Sequence, residues 1–363
     1  MRTAERVRAR TSLRTTAVAA LFAALTATVL PAPSASADAP PAGRVLRVST
    51  AGDGRQADGP SDRATVTPDG RSVGFSSQAG NLLPDGQARP PLTEAYVRDL
   101  RTGRLSWITG GLGSPVLSAD GRYAAYIAFG PHAVNVFRAD LRTGEQQPVD
   151  SGFDGSWDPS VSADGRFVAY RVAPAHPALP YWIEVRDMRT GTVEQVGRGP
   201  VREGLRGMSR PFLSADARYV AYQDDDLRQV FVRDRATGRT AVAAPGRAPV
   251  SLVQLSADGG TVVLTSGSDT YVRNWRSGIT RRVPGVRGEA VSPDGRYLLC
   301  ADGSSRLSLW DLRTGARRTV SDRPAAAVPG AVAEGGRAVV FSSPVRDGSQ
   351  PDQVSDVYVW YPR

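Results

Sequence analysis

Lysine is absent from this chain of 363 residues, and cysteine occurs once, histidine twice and methionine three times. One cysteine, Cys300, cannot form an intramolecular disulfide, so a cross-linked scaffold is excluded, and its place at the end of an apolar run predicts a buried structural thiol. Two histidines, His132 and His176, do not supply the ligand set of a zinc centre. Long apolar runs are also scarce. The longest, residues 17–30, spans 14 positions, short of the roughly 20 that cross a bilayer as a helix. No G-x-S-x-G, H-E-x-x-H or phosphate-binding Walker loop occurs, which removes the common signatures of hydrolases, metalloproteases and nucleotide-binding enzymes.

The first residues have their own logic. Arg2, Arg6, Arg8, Arg10 and Arg14 precede the apolar run, and Ala35-Ser36-Ala37 follows it as a small-residue cleavage site. This pattern predicts a secretory signal peptide over residues 1–37 and a short linker over 38–42. No adjacent arginine pair precedes the run, which points to the general secretory route. The expected product is secreted, has no membrane span and is a monomer. Its formal charge falls from +9 for the whole chain to +5, too mild to predict nucleic-acid binding.

What the chain has in quantity is turn chemistry, with 38 Gly and 27 Pro between short apolar runs. Ser118-Ala119-Asp120-Gly121-Arg122 opens a phrase that ends in Tyr123-Ala124-Ala125-Tyr126, and the phrase returns at residues 162–170 and 292–300. Further copies start at Thr67, Ser214 and Ser256, and a worn seventh lies at 333–337. A second phrase, Arg98-Asp99-Leu100-Arg101-Thr102-Gly103, recurs at 138–144, 186–191, 233–238, 273–278 and 309–315. In both, a short polar side chain can bond the backbone ahead of it and Gly takes the left-handed conformation, so each phrase reverses the chain between two strands. The recurrent aspartates are therefore expected in turns rather than in seven equivalent sites.

Repeats of about 36 to 52 residues with four strands each predict an all-β chain, a seven-bladed beta-propeller over residues 43–363 built from four-stranded antiparallel blades. The last copy stops after its third strand, near Tyr361. Residues 43–49 align with 315–321, sharing Gly and a final Val-Ser, so the N-terminal strand is expected to complete the last blade and close the ring. The S-x-D-G-R and D-L-x-T-G phrases resemble those of TolB-like and WD-like bacterial propeller repeats. That resemblance covers essentially all of residues 43–363 and implies the same closed propeller.

The tight turns fall on one face, and the loops of variable length gather on the other, beside the mouth of the channel. Candidate ligand-binding residues there are Trp157, Asp158, Arg210, Glu289, His132, His176 and Asp224. Asp154, Tyr181, Trp182, Arg202, Arg206, Asp269, Asp302, Arg346 and Asp347 are expected on the same rim. The run Asp224-Asp225-Asp226 is a candidate Ca2+ site through its oxygen ligands; no other cofactor is expected. The leading expectation is a non-enzymatic scaffold that binds a peptide, a protein or a cell-envelope glycan at this face. The alternative is a lyase or hydrolase of an extracellular polymer, with Asp158 and Glu289 as paired carboxylates. One turn departs from the pattern: Ala217 stands where other copies have Gly. If that turn is left-handed, Ala217→Gly should stabilise the chain by up to about 1 kcal/mol, read from the urea midpoint.

Overall fold

The six full copies of the first phrase, all but the worn one at 333–337, fold as the same hydrogen-bonded turn. The Ser118, Ser162 and Ser214 hydroxyls donate to Asp120, Asp164 and Asp216 at 2.6 Å, and each of these carboxylates accepts the N–H of the Arg two residues on at 3.0 Å. The turn aspartates are thus engaged by their own repeats. Ala217 is left-handed, with φ 57°, but its methyl is buried. Losing that methyl costs about 0.8 kcal/mol, so the structure lowers the gain expected from Ala217→Gly to a few tenths of a kcal/mol, roughly.

The computed structural model describes residues 43–83, 92–152, 154–176, 179–198, 204–244, 248–344 and 354–363. The expected signal peptide and linker lie outside the described residues, as do Arg202, Arg346 and Asp347. The chain is nearly all antiparallel strand. Four four-stranded sheets follow one another in sequence, their innermost strands being Gly155–Val161, Met208–Leu213, Ser251–Leu255 and Arg287–Val291. A seven-stranded sheet precedes them and contains two repeats. Its long strand Leu105–Leu117 ends one repeat against Glu94–Asp99 and begins the next against Tyr123–Phe129. Among the described residues no helix is long and apolar enough to cross a membrane.

The remaining sheet joins the two ends of the chain, as the repeat arithmetic predicts. Gly43–Arg47 pairs with Asp356–Pro362, placing Val45 opposite Trp360 and Leu46 opposite Val359, and Val339–Ser343 lies on the other side. Beyond the ladder, Ser49 Oγ donates to Asp356 at 2.7 Å and accepts the Val357 N–H at 3.0 Å. The inner segment of this last blade is reduced to isolated bridges, Ala326 with Ser342 and Val332 with Val339. Pro329 removes a ladder donor there. The whole is consistent with seven blades.

A belt of backbone bonds links neighbouring turns. The N–H of the residue between Ser and Asp reaches the equivalent carbonyl of the next repeat, from Ala119 to Ala163, Ala163 to Ala215, Ala215 to Ala257 and Ala257 to Pro293. Glu334 N–H reaches Pro68 O at 2.9 Å, carrying the belt from the last repeat to the first. Pro68 and Pro293 have no N–H to continue it. Apolar side chains fill the spaces between sheets: Ala169, Ile183 and Val185 pack with Met208, Leu213 and Val220 of the next blade. Cys300 is fully buried, and burial pushes its thiol pKa up, as expected of a structural thiol.

The Arg of the first phrase also locks onto the Asp of the second. Arg122–Asp140, Arg166–Asp187, Arg218–Asp234 and Arg296–Asp311 are each joined through two nitrogens, at 2.5 to 3.1 Å. These hydrogen bonds hold all four carboxyls below the usual range, Asp140 and Asp234 at about 2. A lowered folded-state pKa stabilises fully above the unfolded value, near 4, and the contribution is lost as pH falls through the folded value. The melting temperature should therefore drop steeply between about pH 4 and pH 2. Asp187→Asn should be less stable at pH 6 and show a shallower acid limb; a profile identical to the parent's would refute this assignment.

Candidate functional site

The innermost strands share a defect. Against the second strand of its blade, each shifts register once: between Asp62 and Thr65, Leu112 and Val116, Trp157 and Ser160, Ser209 and Phe212, Leu252 and Gln254, and Gly288 and Ala290. Such bulges aim a side chain away from the regular pleat. Arg63, Asp158 and Arg210 occupy them with φ of 57°, 54° and 52°, whereas the second blade has Gly113 at 68°. All three lie six residues before a turn Asp, namely Asp69, Asp164 and Asp216. Pro115, Pro159 and Pro211 fall within the bulges, where a strand tolerates a residue without an N–H. The left-handed region costs a residue with a Cβ about 1 kcal/mol relative to Gly.

Five of the six bulges, all but the one between Gly288 and Ala290, open onto a cavity of about 1170 Å³ at the loop-rich end of the channel. Its walls differ. Leu112, Val116, Ile127, Val253, Val328 and Pro329 are apolar, while Arg63, Arg171, Arg206, Arg210 and Arg228 are cationic; half-buried Trp157 stands among them. Three carboxylates share the space, and each has protein partners. Asp225 accepts Ser209 Oγ at 3.0 Å and Gln223 Nε2 at 2.6 Å, and Asp226 accepts the Arg206 and Gly207 N–H groups at 2.9 and 2.8 Å. Asp158 faces Arg171 Nε at 3.1 Å, while that guanidinium stacks over Tyr181 at 5.0 Å. Arg210 is steered across the mouth by donating to Leu252 O at 3.1 Å. Arg63, Arg206 and Arg228 are exposed and have no ion-pair partner among the described residues.

Of the residues expected from sequence, Trp157, Asp158, Arg210 and Arg206 line this cavity. Glu289, His132, His176 and Asp224 are not among its lining residues. Glu289 sits at the bulge of its own blade, where burial raises its pKa against the lowering effect of Arg287, 2.7 Å away. The pairing of Asp158 with Glu289 is thus represented in the cavity by Asp158 alone. His132 and His176 are exposed in loops. Asp224 is buried and accepts the N–H groups of Asp226 and Leu227, so it shapes the turn of the acidic run. Among the described residues no three metal-ligating side chains form a group that could hold an ion. Asp269 pairs with Arg282 of the neighbouring strand, and Asp302 with Arg306 in its own turn. Sequence reasoning missed Arg63, Arg171 and Arg228. For Arg63 the signal was available, since it occupies the same repeat position as Asp158 and Arg210.

No protein-family model matches the chain, and no curated protein matches it. Solved structures do. One is an oligogalacturonate lyase in complex with manganese, 15% identical, with a TM-score of 0.64 over 90% of this chain and 95% of that one. Another is an oligogalacturonate lyase from Vibrio parahaemolyticus, 14% identical, with a TM-score of 0.61 over 88% and 93%. TolB from Acinetobacter baumannii is 18% identical, with a TM-score of 0.43 over 73% and 56%. At these identities the two lyases establish a shared propeller fold and nothing finer.

Proposed function

We propose that this chain is an exported propeller that captures an acidic glycan at the mouth of its channel without altering it. The observation that carries this reading is the imbalance in the cavity, where five guanidiniums face three carboxylates that already have protein partners. Guanidinium groups bind carboxylates through paired N–H donors, with geometric selectivity. Trp157 and the apolar walls suit the less polar face of a sugar ring. The likeness to propellers named for oligogalacturonate, a polymer with a carboxylate on each sugar, supports a ligand of this charge.

That likeness also favours a second reading, a lyase. Elimination needs a base beside the proton to be removed, and Asp158 is an exposed cavity carboxylate at a bulge, with 43% of its side chain accessible. Titrating the mature protein with oligogalacturonate, with and without manganese, separates the readings. Capture predicts saturable binding that weakens with salt and produces no unsaturated uronate in the ultraviolet spectrum. Product that disappears in Asp158→Asn would establish the lyase, and binding no tighter than that of a neutral oligosaccharide would overturn the acidic-glycan assignment. Equal competition by hexaglutamate would move the ligand to acidic peptides.

A further inference from the structure

Six described residues other than glycine have positive φ, and four of them, Arg63, Asp158, Arg210 and Arg228, line the same cavity. All four are charged. The other two, Ala217 and Ser305, are small and lie in turns outside it. Arginine has no local hydrogen bond that favours the left-handed region, unlike Asn or Asp, and the second blade shows Gly113 at its own bulge. A role confined to the fold would be met by glycine at Arg63 and Arg228, whose exposed side chains make no hydrogen bond within the described protein. Unfavourable backbone geometry concentrated around one cavity is characteristic of functional sites.

We infer that Arg63, Arg210 and Arg228, with Asp158, form a strained recognition set that reads an oxyanion lying beside a hydrogen-bond donor on the ligand; this deepens the proposed capture of an acidic glycan and rests on it. The arginines are the specificity-determining contacts to the oxyanion. Asp158 has one oxygen against Arg171 and is open enough to accept a hydroxyl of the ligand with the other. The set therefore prefers a hydroxylated carboxylate to an anion with no donor. Backbone strain is retained because glycine would relieve it only by deleting the reading side chain.

Fluorescence anisotropy with labelled trigalacturonate, competition by inorganic tripolyphosphate, and melting temperatures together test this. Arg63→Gly and Arg228→Gly should each raise the melting temperature by about 2 °C and weaken trigalacturonate binding by about tenfold. Arg63→Ala and Arg228→Ala, which delete the side chain but keep the strain, should lose the same binding without the thermal gain. Arg189→Gln, an equal charge change on an exposed turn of the opposite face, should alter neither. Tripolyphosphate should compete poorly with the parent and gain ground in Asp158→Ala. Glycine variants that bind like the parent, or that melt no higher than the alanine variants, would overturn the inference while leaving capture at the mouth intact. A parent protein that binds neither anion would overturn both.

Discussion

The molecule depends on its two ends holding each other. Gly43–Arg47 supplies the edge strand that Asp356–Pro362 would otherwise lack, and Asp356, almost wholly buried, accepts Ser49 and Gln56 side chains behind the ladder. A string of sheets without that pairing would have two free ends and no common axis. With it, the innermost strands present their free edges to one channel, and the turn belt runs from Glu334 back to Pro68. The apolar cluster that joins Phe75 to Val340, Val359 and Leu309 is buried only because first, last and penultimate blades are brought together.

Arginine, the only strongly basic side chain here, is used in three physically different ways. In the turns it pairs with the aspartate of the second phrase, where a planar fork fits a carboxylate better than an ammonium would. Elsewhere it stacks on aromatic rings: Tyr123 lies between Arg122 and Arg138 of its own repeat at 4.7 and 4.5 Å, and Phe167 between Arg166 and the next blade's Arg235 at 4.6 and 4.9 Å. Much of the positive charge is thus framework. The channel arginines differ because they converge on open space from bulged strands and loops.

Those bulges connect the fold to the proposed chemistry. A regular innermost strand would alternate its side chains between the two faces of its blade and aim few of them at the axis. Register slips at equivalent positions turn Arg63, Asp158 and Arg210 out of that alternation, and the prolines within three of the bulges suit a strand whose ladder is interrupted. The site is asymmetric because the repeats have diverged at this one position while keeping their turns.

Ser118-Ala119-Asp120-Gly121-Arg122 and its copies were enough to read the strands, the turns and the head-to-tail closure, because each of these is local chemistry repeated or a matching of phrases at the two ends. Trp157, Asp158 and Arg210 were legible as residues near the mouth, but Glu289 was expected to pair with Asp158 there and only Asp158 lines the cavity. Asp224, which reads as part of an acidic ligand, proves to be tied to the backbone of its own hairpin. Local hydrogen bonding is written in short phrases, whereas the direction of a side chain at a bulge depends on where the neighbouring strand slips its register. That is a property of two paired strands and a closed ring, so tertiary structure alone decided which charges share the channel.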